Sequence, residues 1–262
     1  PDHLRQMGFE EPKSEWIRAP VTYASCRLRQ PDHWAQWRVL LVTGAPAKRT
    51  GFLVSIEGGQ WLVSLASLFD EPAPHNHKEF LAFARSLTVP DLYEAIRDCE
   101  PLSDVVRYHF PGSLRRRYDA LERPPEGLIV LGDAVCSFNP VYGQGITISA
   151  MQAEVLDRVV ARAKHDGGMN ADFARRWFRS IGPDVNAAWN GISIEDLQFP
   201  ELAHERPLSL RPLQWYMKRV HRATYRSQPV TDQFYQVVGF LAPPSTLFRP
   251  RIMADVLFGR TT

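Results

Sequence analysis

The sequence predicts an α/β (α+β) protein with a sheet-rich first part, a strand–loop–helix in the middle and a helical last part. Three observations carry this. Phe52 to Ile56 and Trp61 to Ala66 alternate in character around Glu57-Gly58-Gly59-Gln60, the pattern of a hairpin. Leu128 to Leu131 is a continuous apolar run between glycines, as expected for a strand buried on both faces, and a glycine-flanked helix start follows it. After Gly168 the chain carries aromatic anchors at helical spacing.

In chain order, residues 1–20 are polar and bounded by prolines, the composition of an entry segment. Val21 to Arg29 reads as a strand that Pro31 ends. Trp34 and Trp37 flank a turn into a second strand, Arg38 to Thr43, and both rings are read as packing groups. The hairpin has one packed face, and its other face is free to cover a ligand; the pattern does not say which is which. Asn76 and Glu79 form a capping box that opens a helix through Phe80, Phe83, Ala84 and Leu87. A shorter helix, Pro90 to Asp98, is expected after a Thr88 cap. His75 and His77 precede the first helix with no third ligand nearby in sequence, so they read as solvated and not as a metal site. Val105 to Phe110 reads as a strand. The run Arg115-Arg116-Arg117 then either binds a phosphate or pairs with Asp119 and Glu122, and a solvated charged face is the preferred reading.

In the central stretch, Gly132-Asp133 ends the apolar run and Asn139-Pro140 signals a turn. Gly143-Gln144-Gly145 opens a helix with Ile148, Met151, Val155, Val159 and Ala163 on one stripe, stopped by Gly167-Gly168. A carboxylate at the end of a strand can accept hydrogen bonds from hydroxyls. A helix start flanked by glycines lets a ligand reach bare N–H groups and favours negative charge. Such a site suits a ligand with hydroxyls at one end and a developing anion at the other. The competing reading is a strand–loop–helix that only packs. Cys136 lies in the loop with no histidine nearby in sequence to lower its pKa, so it is read as a packing residue and not a nucleophile.

Gly132-Asp133-Ala134, then Pro140, then Gly143-Gln144-Gly145 resembles the second flavin-binding motif of FAD-dependent aromatic hydroxylases and epoxidases of the p-hydroxybenzoate hydroxylase fold. The wider stretch from Glu126 to Gly143 is most similar to bacterial flavin epoxidases of polyether biosynthesis, and more distantly to squalene epoxidase. Two positions depart from the pattern: Cys136 stands where many members have His, and Thr147 where they have Asn. The resemblance implies a monooxygenase that uses FAD, NAD(P)H and O2 on an aromatic or alkene-containing (polyene) substrate. It assigns Asp133 to the ribityl chain, Gly143, Gln144 and Gly145 to the pyrimidine edge of the flavin, and Pro140 to the loop at the ring face, with Gly132 a further cofactor-binding residue of the motif. No catalytic side chain is expected, because the cofactor carries the chemistry. Residues 1–122 are expected to form the substrate-binding sheet domain, 123–168 the last strand–helix of a Rossmann-like FAD-binding domain, and 169–262 a helical region. The Trp34/Trp37 spacing does not fit the tryptophan motif of flavin-dependent halogenases. Two rival readings are a flavin-dependent reductase or dehydrogenase of the same fold, and a non-catalytic fragment that binds an apolar ligand.

No Gly-x-Gly-x-x-Gly turn occurs anywhere in the 262 residues. In the family that turn lies in a first FAD-binding half. The expectation is therefore a C-terminal portion whose partner half, ~150 residues, lies upstream or on another chain. A net charge of +2 gives no reason to expect nucleic acid. Three scattered cysteines suggest neither a disulfide framework nor a zinc site, and the default setting is cytoplasmic. No window has the ~18 continuous apolar residues of a membrane span. The helical part is expected over Ala171 to Ile181, Val185 to Leu197, Leu208 to Thr224, Thr231 to Phe240 and Ser245 to Phe258, anchored by Phe173, Trp177, Trp189, Trp215, Tyr216 and Val220. Its Phe-, Leu- and Pro-rich end is read as a packed cap in preference to a membrane-docking surface.

Overall fold

The computed structural model describes residues 2–32, 38–42, 47–165, 168 and 172–259. Trp34, Trp37, Thr43 and Gly167 lie outside the described residues. The chain divides into two compact units, Pro1–Ile192 and Ser193–Thr262.

The first unit is organised by a five-stranded antiparallel sheet: β2 (Val21–Arg29), β3 (Val39–Val42), β4 (Arg49–Ile56), β5 (Gln60–Leu68) and β6 (Val106–Phe110), in the order β3-β4-β5-β2-β6. The expected hairpin is β4–β5, closed through Gly58 and Gly59, both at positive φ. One face is packed. Ala24, Cys26, Leu28, Leu53, Trp61, Val63 and Leu65 share a core with Phe80, Phe83 and Ala84 of α2 (His77–Arg85) and Leu92, Ala95 and Ile96 of α3 (Asp91–Ile96). At Gly51 an added Cβ would lie 2.4 Å from Leu92 Cδ2, so α3 packs where a side chain is missing.

The capping box is present. Asn76 accepts from the Glu79 N–H at 3.0 Å, and Glu79 accepts from the His75 N–H at 2.9 Å. The His75 N–H, together with the Asn76 side-chain amide donating to Glu79 Oε1 at 2.7 Å, holds the Glu79 carboxyl below its usual range. Thr88 does not cap α3; its N-cap is Pro90, which makes no side-chain bond. His75 faces the Arg107 guanidinium at 3.0 Å, and His77 stacks on Phe80.

Residues 1–20 are not a bare linker. They hold α1 (Asp2–Gln6) and β1 (Ser14–Ile17), and β1 pairs with β7 (Ser113–Arg116), which pairs in turn with β8 (Cys136–Ser137). Only Ile17 of the four β1 residues is buried, so the sequence gives a polar pattern. The ladder comes from a partner about a hundred positions away.

The expected strand Leu128 to Leu131 is also corrected. It belongs to no strand, and Leu128 and Leu131 are 39% and 44% exposed. An apolar run becomes a buried strand only where another strand pairs with its backbone, and none of the described strands does so here. It leads into a 3-10 turn, Gly132–Ala134. The glycine-led helix is α4 (Gly145–His165), with Ile148, Val155 and Ala163 buried as expected, and Gly168 at φ +93° closes it by donating to the Ala163 carbonyl at 2.7 Å.

Two expected helices merge into one, α5 (Phe173–Asp196), which runs through Pro183. The proline removes one donor, but Trp177, Ile181, Val185, Ala188 and Ile192 keep a buried stripe on both sides of it.

The second unit packs α6 (Arg211–Thr224), α7 (Gln228–Val238) and α8 (Pro250–Phe258) around Tyr216, Val220, Ala223, Val230, Leu247, Ile252 and Val256. Trp215 is not an anchor. Tyr216 takes the inward position, its hydroxyl donating to the Leu247 carbonyl at 2.7 Å, while Trp215 is exposed under the Arg219 guanidinium. The helix expected over Ser245 to Phe258 is a 3-10 turn, Pro244–Phe248, followed by α8. Arg249 is extended before Pro250, as the proline ring requires. Among the described residues no helix is long and apolar enough to cross a membrane.

Candidate functional site

The sheet register identifies the open face that the hairpin pattern left undecided. Ser25 stands opposite Ser64 and Val106, and Tyr23 opposite Ala66 and Tyr108. Ser64 stands opposite Phe52, and Phe52 opposite Leu41. Directly opposed residues point to the same side. One face therefore carries Tyr23, Tyr108, Phe52, Leu41, Val54 and Leu62 around a central Ser25–Ser64 hydroxyl pair, hydrogen-bonded at 2.6 Å. Leu41, Val106 and Tyr108 are half or more exposed on it. β4 turns Phe52, Val54 and Ile56 to the open side and Leu53 and Ser55 to the packed one, so its own alternation does not identify the packed face.

This face is tied directly to the glycine stretch. The Tyr23 hydroxyl donates to Asn139 Oδ1 at 2.5 Å and accepts the Val141 N–H at 2.9 Å. Asn139 is buried and also donates its N–H to Ser113 Oγ at 3.1 Å. It caps a 3-10 turn, Pro140–Tyr142, that Gly143 ends at φ +64°. Asp133 is exposed in its own turn. A Cβ built on Gly145 would lie 3.7 Å from Asp133 Oδ1, so the carboxylate stands beside the start of α4. Gly132, Asp133, Pro140, Gly143, Gln144 and Gly145, named from sequence, are thus drawn together around the N-terminus of one helix.

Gln152 was not singled out from sequence. It is buried on α4, and its Oε1 accepts the Gly132 N–H at 2.6 Å, fixing the turn that carries Asp133. The available signal was a polar residue on an apolar stripe, four positions after Ile148. Tyr23, Ser113 and Asn139 were missed because their contacts are long-range.

The arginine run is engaged. Arg115 is buried and donates to Asn186 at 2.7 Å; Arg116 donates to the Ala134 carbonyl at 3.2 Å. Arg117 bridges Glu15 and Asp119, each at 2.9 Å. The Arg117 hydrogen bond holds the Asp119 carboxyl below its usual range. Glu122 is not a partner of this run; its carbonyl accepts from Arg175. Each guanidinium therefore has protein partners, against a phosphate site at this run.

Burial pushes the Cys136 thiol up to about 12 and the Cys26 thiol up to about 11, while Cys99 is less buried. Since the thiolate is the reactive form, iodoacetamide at pH 8 should label Cys99 first and leave Cys136 and Cys26 largely unmodified in the folded chain. Peptide mass spectrometry reads the order; early labelling of Cys136 would contradict its assignment as a packing residue.

A flavin fits the donor set. Gly143 has open space where a Cβ would sit, leaving its backbone accessible. Gln144 Oε1, Asn139 Nδ2 and Gln152 Nε2 are buried with no hydrogen-bond partner among the described residues. An exposed carboxylate, bare helix-start N–H groups and unpaired amide atoms match hydroxyls plus a ring edge that both donates and accepts.

No family model matches the sequence. The chain is 30% identical over 200 residues to Protein Rv3254 of Mycobacterium tuberculosis, covering 76% of this chain and 42% of that protein. Its fold is similar to that of a flavoprotein/dehydrogenase from Cytophaga hutchinsonii (TM-score 0.64, 11% identity, 97% of this chain and 56% of that one). It is similar as well to the flavin-dependent brominase Bmp2 (TM-score 0.59, 13% identity, 90% and 54%) and to the halogenase PltM (TM-score 0.53, 10% identity, 97% and 57%). The chain thus spans about half the length of these solved proteins and 42% of the curated relative. At such identities it is the fold that is shared, a mixed helix-and-sheet fold found in flavin-dependent enzymes.

Proposed function

We propose that this chain is the substrate-binding part and second flavin motif of an FAD-dependent monooxygenase, a hydroxylase or epoxidase that uses NAD(P)H and O2 on an aromatic or alkene-containing substrate. The observation that carries it is the tie between a largely aromatic and aliphatic sheet face, with Arg27 and Arg29 at one end of it, and a glycine-led helix start with a carboxylate beside it. The neighbours' flavin chemistry is consistent with it. On this reading residues 1–122 bind substrate, 123–168 bind flavin and 169–262 form a helical region.

When bound, FAD supplies reduction by NAD(P)H and oxygen transfer from O2. The chain's own groups bind and orient. Asp133 accepts hydrogen bonds from the ribityl hydroxyls. The Gly143–Gly145 segment would present the positive end of α4 to an anionic edge of the bound ring. Pro140 shapes the loop that borders the ring. Tyr108, Phe52, Leu41, Val54 and Leu62 cover the substrate and exclude water, and the Ser25–Ser64 pair offers a neutral polar contact. A dinucleotide-binding half, on the same polypeptide or another chain, completes the cofactor site. The extended, partly exposed Leu128–Leu131 segment, unpaired in any ladder, supports such a neighbour.

The test is an absorbance spectrum of the whole protein, then NAD(P)H consumption with and without O2 in the presence of arene and polyene probes. Flavin bands with oxygen-dependent product are expected. Turnover that persists without O2 would favour a reductase, and a flavin-free whole protein would sink the proposal.

A further inference from the structure

The sequence places Tyr23 in an ordinary strand and Asn139 in an ordinary turn, 116 residues apart. In the fold their side chains meet at 2.5 Å, and the same hydroxyl accepts the Val141 N–H. Asn139 Oδ1 also accepts that N–H, at 3.2 Å, and the Asn139 N–H reaches Ser113 on β7. Three segments are therefore pinned at one buried residue, Asn139: β2 and the turn that leads into α4 through its side-chain oxygen, and β7 through its backbone N–H. Between the pin and the helix stand only residues 140–144, and Gly143 closes the turn by donating to the Pro140 carbonyl at 3.0 Å. A turn this short transmits the position of Asn139 to Gly145. Tyr23 itself lies on the open face, opposite Tyr108.

We infer that Tyr23 is a positioning residue: its hydroxyl locks the 139–145 turn to the substrate-facing sheet and so fixes the register between a ligand on that face and one at the start of α4. This rests on the flavin reading for its functional half only. The lock itself is a property of residues 1–262. It predicts a specific separation of effects. Removing the hydroxyl should leave both ligands bound but let them drift relative to each other, because neither binding surface loses a contact of its own. A group that acts by alignment shows up in the outcome of the reaction more than in affinity.

The experiment has two arms. In the first, amide hydrogen exchange is followed on the purified chain for wild type, Tyr23→Phe, Asn139→Ala and the double variant. Loss of one hydrogen bond should speed exchange at Val141 to Gly145 by about tenfold, with the β2, β4 and β5 core unchanged. The single changes should be non-additive in the double variant, since both cut the same lock. Unchanged exchange in Tyr23→Phe, or simple additivity, would overturn the lock. In the second arm the whole protein is titrated with FAD, then turned over with substrate while hydrogen peroxide and product are both measured. Tyr23→Phe should bind FAD within about threefold of wild type. The share of NAD(P)H ending as peroxide should rise at least severalfold. An unchanged peroxide share with accelerated exchange would overturn the positioning role. A wild-type protein that binds no flavin would refute the flavin reading separately, while the first arm still decides the lock.

Discussion

Asp133→Ala is expected to weaken FAD binding by the whole protein about ten- to a hundredfold. The carboxylate is exposed on a turn held from behind by the Gln152 contact to Gly132, and it stands beside Gly145 at the start of α4. It is therefore free to accept hydroxyl hydrogen bonds and is placed where they would be needed. A hydrogen bond to a charged group contributes roughly 1.5–3 kcal/mol, and about 1.4 kcal/mol is tenfold in affinity. Turnover should return mostly at saturating FAD, because water can bridge an unfilled hydroxyl contact. Titration and oxygen-dependent NAD(P)H consumption, at low and high FAD, read both quantities. Unchanged affinity with turnover abolished at saturation would make Asp133 a participant in proton transfer and end its assignment to the ribityl chain.

The local half of this site was readable in the sequence and the long-range half was not, for a physical reason. Turn chemistry, a capping residue and a helical stripe are set by neighbours within a few positions. Hence β2, the β4–β5 hairpin, the Asn76–Glu79 box and the stripe of α4 follow from pattern. The glycines around α4 belong to the same class, and a motif made of them is legible. What joins the motif to the sheet is a tyrosine hydroxyl on a buried asparagine, and neither residue type signals its partner. The β1–β7–β8 ladder is equally silent, because β1 has one buried position and the register comes from the far end of the unit. Leu128 to Leu131 fails in the opposite direction. Its apolarity was read as burial, yet burial depends on neighbours that the local pattern cannot supply. Pro183 shows propensity yielding to packing, since the buried stripe of α5 continues across it.

Trp177→Ala should cost the first unit about 3–5 kcal/mol, the range for removing a large buried aromatic side chain. Trp177 is fully buried on α5, and its Nε1–H donates to the Val130 carbonyl at 2.9 Å. That bond ties α5 to the extended segment that enters the Gly132–Ala134 turn, and hence to Asp133. Two contributions can be separated. Trp177→Phe keeps most of the ring's apolar contacts and removes the donor, so it should cost only the hydrogen bond and some lost volume, about 1–2 kcal/mol. Urea unfolding of the chain and its variants measures both. A cost below about 1 kcal/mol for the alanine would mean that the neighbouring side chains close over the site and that Trp177 does not anchor the segment. If the phenylalanine cost as much as the alanine, the bond to Val130, and not the packing, would hold α5 to the segment that enters the Gly132–Ala134 turn. FAD affinity of the whole protein should then fall in step with it.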